Sequence, residues 1–348
     1  MKKKLYPLIF RPVTVERVWG GDHLVKDFGK PWDGPEETPL GESWEIAAID
    51  EEHATIVQNG FLADNSLQDI LETYMGELVG DKVFDSYNLW FPLLVKLLDV
   101  QEFLSVQVHP DDHTAMERYD SFGKTECWYV MEASEDARIY AGFSRQTTAA
   151  EFYAKCKDGT VTELLNCYKP HSGEFFFLPA GTVHACGGGL VIAEIQQASD
   201  MTFRLYDWGR ENNPATARKM HLEEAIDCID YRPYDDAQLH CTKVDEGRLI
   251  SGSHFPFNLT ALRCNEPRSI DTDNLESCLV WFCTEGAASI QYEEDGRTEE
   301  VTLERGQSVL IPADMDDLLI VPKAKDTLLL QADILPLTEE SDDYLDKN

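Results

Sequence analysis

The chain has 348 residues, 43% of them hydrophobic, enough to bury a sizeable core in one large or two modest domains. Its 30 Lys and Arg against 64 Asp and Glu give a formal charge of −34, which disfavours nucleic acid as a partner and obliges any anionic substrate to find a local cationic pocket. No stretch approaches the roughly 20 apolar residues that span a bilayer, the N-terminal MKKKLYPLIF lacks the pattern of a signal peptide, and nine cysteines without CxxC spacing fit free thiols in a reducing cytoplasm.

In chain order, short apolar-alternating runs bounded by Gly, Pro, Asp and Asn dominate: SWEIAAI, HATIVQNG, EFFFLPAG, LVIAEIQQ, LVWFCTEG, ASIQYEE and SVLIPAD. This pattern predicts a mainly β chain, a sandwich or barrel of many strands. Three stretches read as helical, near 65–79, 147–168 and 213–230. The first takes Asn65 or Ser66 as N-cap, the second breaks near Gly159, and the third opens at Pro214. The segment GEFFFLPAGTVHAC from Gly173 aligns with GQSVLIPADMDDLL from Gly306, matching Pro179 with Pro312 and Ala180 with Ala313. His184 of the first copy meets Asp317 of the second. Two related β-domains follow, 1–238 with a polar site and 239–348 without one, joined after the linker-like YRPYDDAQ. The acidic stretch EESDDYLDKN closes the chain.

The first domain carries the polar residues of interest. In LSVQVHPDD, Gln107 and His109 share one strand face with Ser105 a step further along, and Pro110 ends the strand. In GKTECWYVME, Lys124 and Glu126 share a face. A Pro-x-Gly turn delivers His184, and EIQQASDMTFR holds Glu194 and Arg204. Singly, each has an ordinary explanation: a satisfied polar pair, a solvated ion pair, a turn histidine. Together, two His, one Glu and one Gln suit a divalent ion with an open coordination position, and ligand type leaves zinc and non-haem iron both open. Asp111, Asp112 and His113 read as a helix start rather than ligands; His171 and His221 read as exposed; Lys96, inside an apolar run, needs a carboxylate partner.

The PxGxxH of Pro179, Gly181 and His184 resembles the second cupin motif. The first cupin motif is replaced by QVHP and a Glu downstream, and this replacement resembles the type I mannose-6-phosphate isomerases. So do FPLLVKLLDVQEFLSVQVHPDD, GKTECWYV, EIQQASDMTFRLYDWGR, RVWGG and GESWEIA, so that the resemblance spans essentially the whole chain in its short bacterial form. It implies two cupin-type jelly-roll β-barrel domains with a few flanking helices, and one zinc ion per chain on Gln107, His109, Glu126 and His184. It further implies Arg204 as active-site arginine, Ser105 and Lys124 on the sugar phosphate, and Glu194 as proton-transferring base. Thr125 departs from the family, which has Pro between Lys and Glu.

The implied reaction interconverts mannose 6-phosphate and fructose 6-phosphate through an enediol or enediolate. Negative charge builds on oxygen, which calls for an electrophile aimed there. Glu194 suits proton transfer in so apolar a strand, or else pairs with an Arg or Lys; Arg204 can hold the enediolate or the phosphate, and Lys124 adds a point charge. These cations would form the local pocket that the acidic surface demands. Two other readings stay open: an iron-dependent cupin oxygenase using His109, His184 and Glu126, and a non-catalytic sugar-phosphate-binding regulatory relative. The expected partner is a sugar phosphate in the cytoplasm, with neither nucleic acid nor membrane nor an obligate protein partner.

Overall fold

Short alternating segments become strands here because their apolar halves face one core. The computed structural model describes residues 3–214, 217–252, 255–272, 276–294 and 296–337. The chain is mainly β, with antiparallel sheets and few helices, in the cupin-like manner. It forms two compact units, one of Met1–Val13, Trp44–Lys96 and Asp245–Asn348 and the other of Thr14–Ser43 and Leu97–Val244. These units do not coincide with a single boundary at 238/239, since two N-terminal segments group with the C-terminal residues. Among the described residues, no helix is long and apolar enough to cross a membrane.

Within the unit Thr14–Ser43 and Leu97–Val244, the strands fall into two sheets rather than one closed barrel. A seven-stranded sheet runs in the order His240–Cys241, Phe175–Leu178, Glu126–Ala133, Leu190–Gln197, Leu93–Val100, Leu40–Ile46, Val13–Gly21. A five-stranded sheet runs Phe203–Tyr206, Val106–Val108, His184–Gly187, Arg138–Phe143, Leu165–Tyr168. Side chains alternate along each strand, so the five-stranded sheet has two distinct faces. Val106, Val108, Ala185, Phe203 and Leu205 point outward, onto the helix Ala149–Asp158 and the turn Leu222–Cys228. Ile139, Ala141 and Cys186 point inward, onto Trp128, Val130, Phe176, Leu178 and Ile192 of the other sheet. Covering the outer face leaves the opposite face no choice but the sandwich interior. Gln107, His184 and Arg204 lie on that inner face.

The other unit has its own pair of sheets, seven-stranded from Gly247–Ile250 to Ile56–Val57 and four-stranded through Arg268–Ile270, Leu318–Pro322, Ala287–Glu294 and Arg297–Glu304. The aligned glycines play the same part in each unit. Gly173 and Gly306 both sit at positive φ, 91° and 83°, just before the strands Phe175–Leu178 and Ser308–Ile311. That conformation favours glycine, which explains the match.

Two helix expectations sharpen and one changes. Ser66 is the N-cap of Leu67–Tyr74, in a capping box with Asp69. The segment after Thr148 is helical over Ala149–Asp158 and closes on Gly159 at φ 76°, but Val161–Leu164 is a 3₁₀ turn and Leu165–Tyr168 a strand. The third helix does not open at Pro214; it begins at Leu222, because Leu222 and Ala225 are the first residues with an apolar face to bury. Residues 215 and 216 of that segment, and the acidic stretch 339–348, lie outside the described residues.

Phe152 anchors the outer cover. It is fully buried and meets Phe143 edge-on at 5.7 Å and Tyr231 at 6.1 Å. Phe152→Ala should lower the unfolding free energy by about 3–5 kcal/mol, as large-to-small core changes do, read by urea denaturation. A loss below about 1 kcal/mol would mean that the helix is not what seals this face.

Candidate metal centre and active site

Three strands of the five-stranded sheet place their inward residues in one row. Gln107 pairs directly with His184 on one side and with Arg204 on the other. Directly opposed residues share a face and stand about 5 Å apart. The facing sheet makes a second row, in which Glu126 lies between Leu178 and Gln196, and Trp128 between Phe176 and Glu194. His109 follows the strand Val106–Val108, which stops before Pro110. Its backbone carbonyl accepts from Gly181 N–H at 2.9 Å. Gly181 has φ 84°, and a Cβ there would meet Cys228 O at 3.0 Å, so glycine is required both for the turn and for the close approach.

His109, Glu126 and His184 are all buried, and one ligand atom from each lies within 4.8 Å of the others. The tautomers follow from the backbone. His109 Nδ1 donates to Met201 O at 2.8 Å, and His184 Nδ1 donates to Thr182 O at 2.8 Å. A carbonyl only accepts, so each Nδ1 carries the hydrogen and each Nε2 presents a lone pair. His109 Nε2 lies 3.3 Å from Glu126 Oε2, and His184 Nε2 lies 3.2 Å from Glu126 Oε1. Glu126 Oε1 is buried with no hydrogen-bond partner. His184 Nε2 and the orphaned Glu126 Oε1 converge without a hydrogen between them, and between His109 Nε2 and Glu126 Oε2 the Lys124 ammonium stands, so the cluster fits a cation. The donor set of two imidazoles and one carboxylate suits a borderline divalent ion.

The electrostatics point the same way. Burial depresses His109, helped by the Lys124 ammonium, so that its pKa falls to about 3 although Glu126 opposes this; the ring is neutral and able to ligate at ordinary pH. Burial works to raise Glu126, but Lys124 and the two imidazoles hold it well below the usual carboxylate range. Lys124 Nζ donates to Glu126 Oε2, and to His109 Nε2 at 3.3 Å. Gln107 Nε2 approaches His184 Nε2 at 3.2 Å. A half-turn of that amide exchanges its oxygen and nitrogen and would aim Oε1 at the same point.

The remaining expected residues sit close by. Ser105 is buried just ahead of the strand carrying Gln107. Glu194 is buried, and its Oε1 accepts from Trp128 Nε1 at 2.8 Å. Trp128 also meets the His184 ring edge-on at 5.3 Å. The Arg204 guanidinium is lowered from its ordinary pKa by burial and then by repulsion from Arg218, and its Nε is buried without a partner. Asp111 caps the helix Asp112–Tyr119, and His113 is exposed; neither belongs to the ligand cluster. His171 is exposed as expected, whereas His221 is half-buried and its Nδ1 accepts from the Arg204 backbone N–H at 3.2 Å. Lys96 is buried with Nζ 5.1 Å from the Trp44 ring centroid.

Sequence reasoning missed the residues that hold this arrangement. Thr125, the departure from the family pattern, receives Ala180 N–H on its hydroxyl at 3.2 Å and donates its own N–H to Gln197 Oε1 at 2.8 Å. It thereby ties the lead into Glu126 to the turn that delivers His184. Asp112 Oδ1 accepts from Gly123 N at 2.8 Å and Gln197 Nε2 at 2.9 Å, which steadies the approach to Lys124. The only signal for these residues is their position flanking a motif.

Comparison with known proteins agrees with the geometry. The model of the phosphomannose isomerase type I catalytic domain matches residues 8–135. The mannose-6-phosphate isomerase ManA of Bacillus subtilis is 40% identical over 228 residues, 64% of this chain and 68% of that protein. The mannose-6-phosphate isomerase of Streptococcus mutans is 39% identical over 223 residues, 64% of this chain and 67% of that protein. The crystal structure of a mannose 6-phosphate isomerase from Bacillus subtilis is 30% identical, with a TM-score of 0.80 over 95% of this chain and 100% of that one. A variant of the phosphomannose isomerase from Salmonella typhimurium is 17% identical with a TM-score of 0.72, over 95% of this chain and 100% of that one, a likeness of fold. Cupin-like sheets, a His–Glu–His cluster between them and this degree of identity along the chain place it together with those proteins: the chain belongs to the type I phosphomannose isomerase family of enzymes.

Proposed function

We propose that the protein is a zinc-dependent aldose–ketose isomerase that interconverts mannose 6-phosphate and fructose 6-phosphate. The observation that carries this reading is the convergence of His109, Glu126 and His184 within 4.8 Å, on the interior that Arg204 and Glu194 also face. The relatives named above as mannose-6-phosphate isomerases support the substrate.

His109, Glu126 and His184, with Gln107 beside them, would hold one zinc ion, which when bound supplies a Lewis acid that polarises the sugar carbonyl and orients the opened chain. Two neutral imidazoles and one carboxylate leave such an ion with net positive charge. Glu194 takes the proton from one of carbons 1 and 2 and returns it to the other, passing through an enediol or enediolate. Trp128 holds Glu194 Oε1 and so fixes the plane of that carboxylate. Arg204 neutralises the oxyanion or the phosphate from the strand next to Gln107. Lys124 and Ser105 bind the phosphate end. The two facing sheets exclude water from the reacting carbons, which strengthens each of these interactions.

Catalysis then belongs to the unit of Thr14–Ser43 and Leu97–Val244, whose site residues, from Ser105 to Arg204, fall inside the 1–238 span expected to be catalytic. The nine cysteines are all unpaired, which supports a reducing, cytoplasmic setting.

A coupled assay with mannose 6-phosphate tests the reading. Activity should vanish on chelation, return with zinc, and fall by on the order of 10³-fold in His184→Ala; turnover that survives both treatments would refute the metal mechanism, and substrate-dependent oxygen uptake by an iron-loaded protein would favour an oxygenase instead. Glu194→Gln keeps the size and the Trp128 contact but removes the base, so kcat should drop by roughly 10²–10⁴-fold with zinc content unchanged. Near-normal kcat in that variant would move the proton-transfer role to another group.

A further inference from the structure

We propose that Arg218 is a second guanidinium ligand of the substrate phosphate, beside Arg204 and in addition to Lys124 and Ser105, and that the buried Asp207 is the positioning residue that aims it; this rests on the isomerase reading above. No motif marked Arg218, which lies fourteen residues after Arg204 in a segment without regular structure. Three sets of contacts bring it to the site.

The first is backbone. After the strand Phe203–Tyr206 the chain turns sharply through Trp208 at φ 58° and Gly209 at φ 85°. It then returns, and His221 N donates to Arg204 O at 2.8 Å while Arg204 N donates to His221 Nδ1 at 3.2 Å. The segment holding Arg218 is thus tied alongside Arg204 itself. The second is Asp207, a wholly buried carboxylate at the start of the turn. It accepts from Arg218 Nη2 at 2.6 Å and Nε at 3.2 Å, a two-point grip that fixes the guanidinium plane. It also accepts from Arg210 Nη2 at 2.7 Å, and Arg210 is itself anchored to Phe103 O at 2.6 Å. Arg210 is therefore occupied on both sides, whereas Arg218 keeps further N–H groups beyond the carboxylate and a partly exposed side chain.

The third is charge. Asp207 accepts from two guanidinium groups, Arg210 and Arg218, and acts on a third, Arg204, through space, while Arg17 adds a fourth cation that is matched by Glu42 at 2.7 Å. In a chain of formal charge −34 such a local excess of positive charge is unusual and costs stability until an anion arrives. Arg204 lies one strand from Gln107, which approaches His184, so the excess stands at the rim of the metal cluster. A sugar phosphate carries about −1.5 to −2 charges at neutral pH and three acceptor oxygens, which match two forked donors.

The test uses the full chain and inorganic phosphate as the probe, with binding read by titration calorimetry and kinetics read with mannose 6-phosphate. Arg218→Ala should weaken phosphate binding by on the order of 10- to 100-fold, the range of a lost charge-assisted pair, and raise KM for mannose 6-phosphate by a similar factor, with the larger part of the loss in KM rather than kcat. Arg218→Lys keeps a point charge without the fork and should fall between the two. Asp207→Asn should reproduce much of the Arg218→Ala loss and add little to it in the double variant. Phosphate affinity of Arg218→Ala within twofold of wild type overturns the proposal. If that variant does not fold by thermal melt, an unchanged affinity in folded Arg218→Lys overturns it equally. Because phosphate binding is read without turnover, the two readings fail separately: wild-type protein that binds phosphate through Arg218 but does not isomerise mannose 6-phosphate sinks the activity alone, and an active enzyme indifferent to Arg218 sinks this inference alone.

Discussion

The centre depends on two hydrogen bonds to backbone carbonyls. His109 and His184 each give Nδ1–H to a main-chain oxygen, of Met201 and of Thr182, and each therefore turns its Nε2 lone pair on Glu126. Backbone oxygens cannot rotate away or change protonation, so tautomer and ring orientation are fixed by the fold itself. Burial then keeps the His109 ring neutral, and the same burial makes the lone carboxylate oxygen costly without a cation. The rest of the unit serves this constraint. The outer helix and turn cover one face of the five-stranded sheet, so that Gln107, His184 and Arg204 have only the interior to face.

A second constraint is the sign of the field. A chain of formal charge −34 repels a phosphate ester over most of its surface. Lys124 sits between Glu126 and His109, and Arg204 stands beside Gln107 in the facing row. On the isomerase reading proposed above, cationic groups are concentrated where a sugar phosphate would arrive, while Arg17 and Arg210 are neutralised at short range by Glu42 and Asp207. On that reading steering is achieved locally, by gathering several cations at one site rather than by changing the balance of the whole protein.

The strands, and the inward set of Gln107, His109, Glu126, His184, Glu194 and Arg204, were legible in the sequence. Period-two alternation assigns each to a face, and the PxGxxH turn marks where a strand must start. What was not legible depended on contacts between residues remote in sequence. Thr125 reads as a bystander between Lys124 and Glu126 until its hydroxyl is seen to take Ala180 N–H, 55 residues away. His221 reads as exposed until its ring is found bonded to Arg204 N. The linear split at 238/239 follows the order of the chain, whereas compactness joins Met1–Val13 and Trp44–Lys96 to the C-terminal residues. The family resemblance implied jelly-roll β-domains with few helices, and the chain is mainly β with antiparallel sheets of that cupin-like kind; which strands lie at the edges was not legible, because alternation says nothing about edges.

The aligned turns show how one piece of local structure serves two ends. Both begin with a glycine at positive φ and run through an apolar strand into Pro-Ala. After Pro179, the free N–H groups of Ala180 and Gly181 go to the Thr125 hydroxyl and to His109 O, that is, to the elements that carry Lys124, Glu126 and His109. After Pro312, the N–H groups of Ala313 and Asp314 go to Leu78 O and Glu77 O in the short helix Gly76–Val79. In one unit the turn locks ligands together; in the other it caps a helix whose terminal carbonyls would otherwise lack donors. Asp317, which stands where His184 does, accepts instead from Thr272 N at 3.4 Å, 45 residues away in sequence. The difference between a site and a scaffold in these units therefore lies less in the turn than in what accepts its two N–H groups, and restoring a histidine at Asp317 would not by itself recreate the partners that a ligand requires.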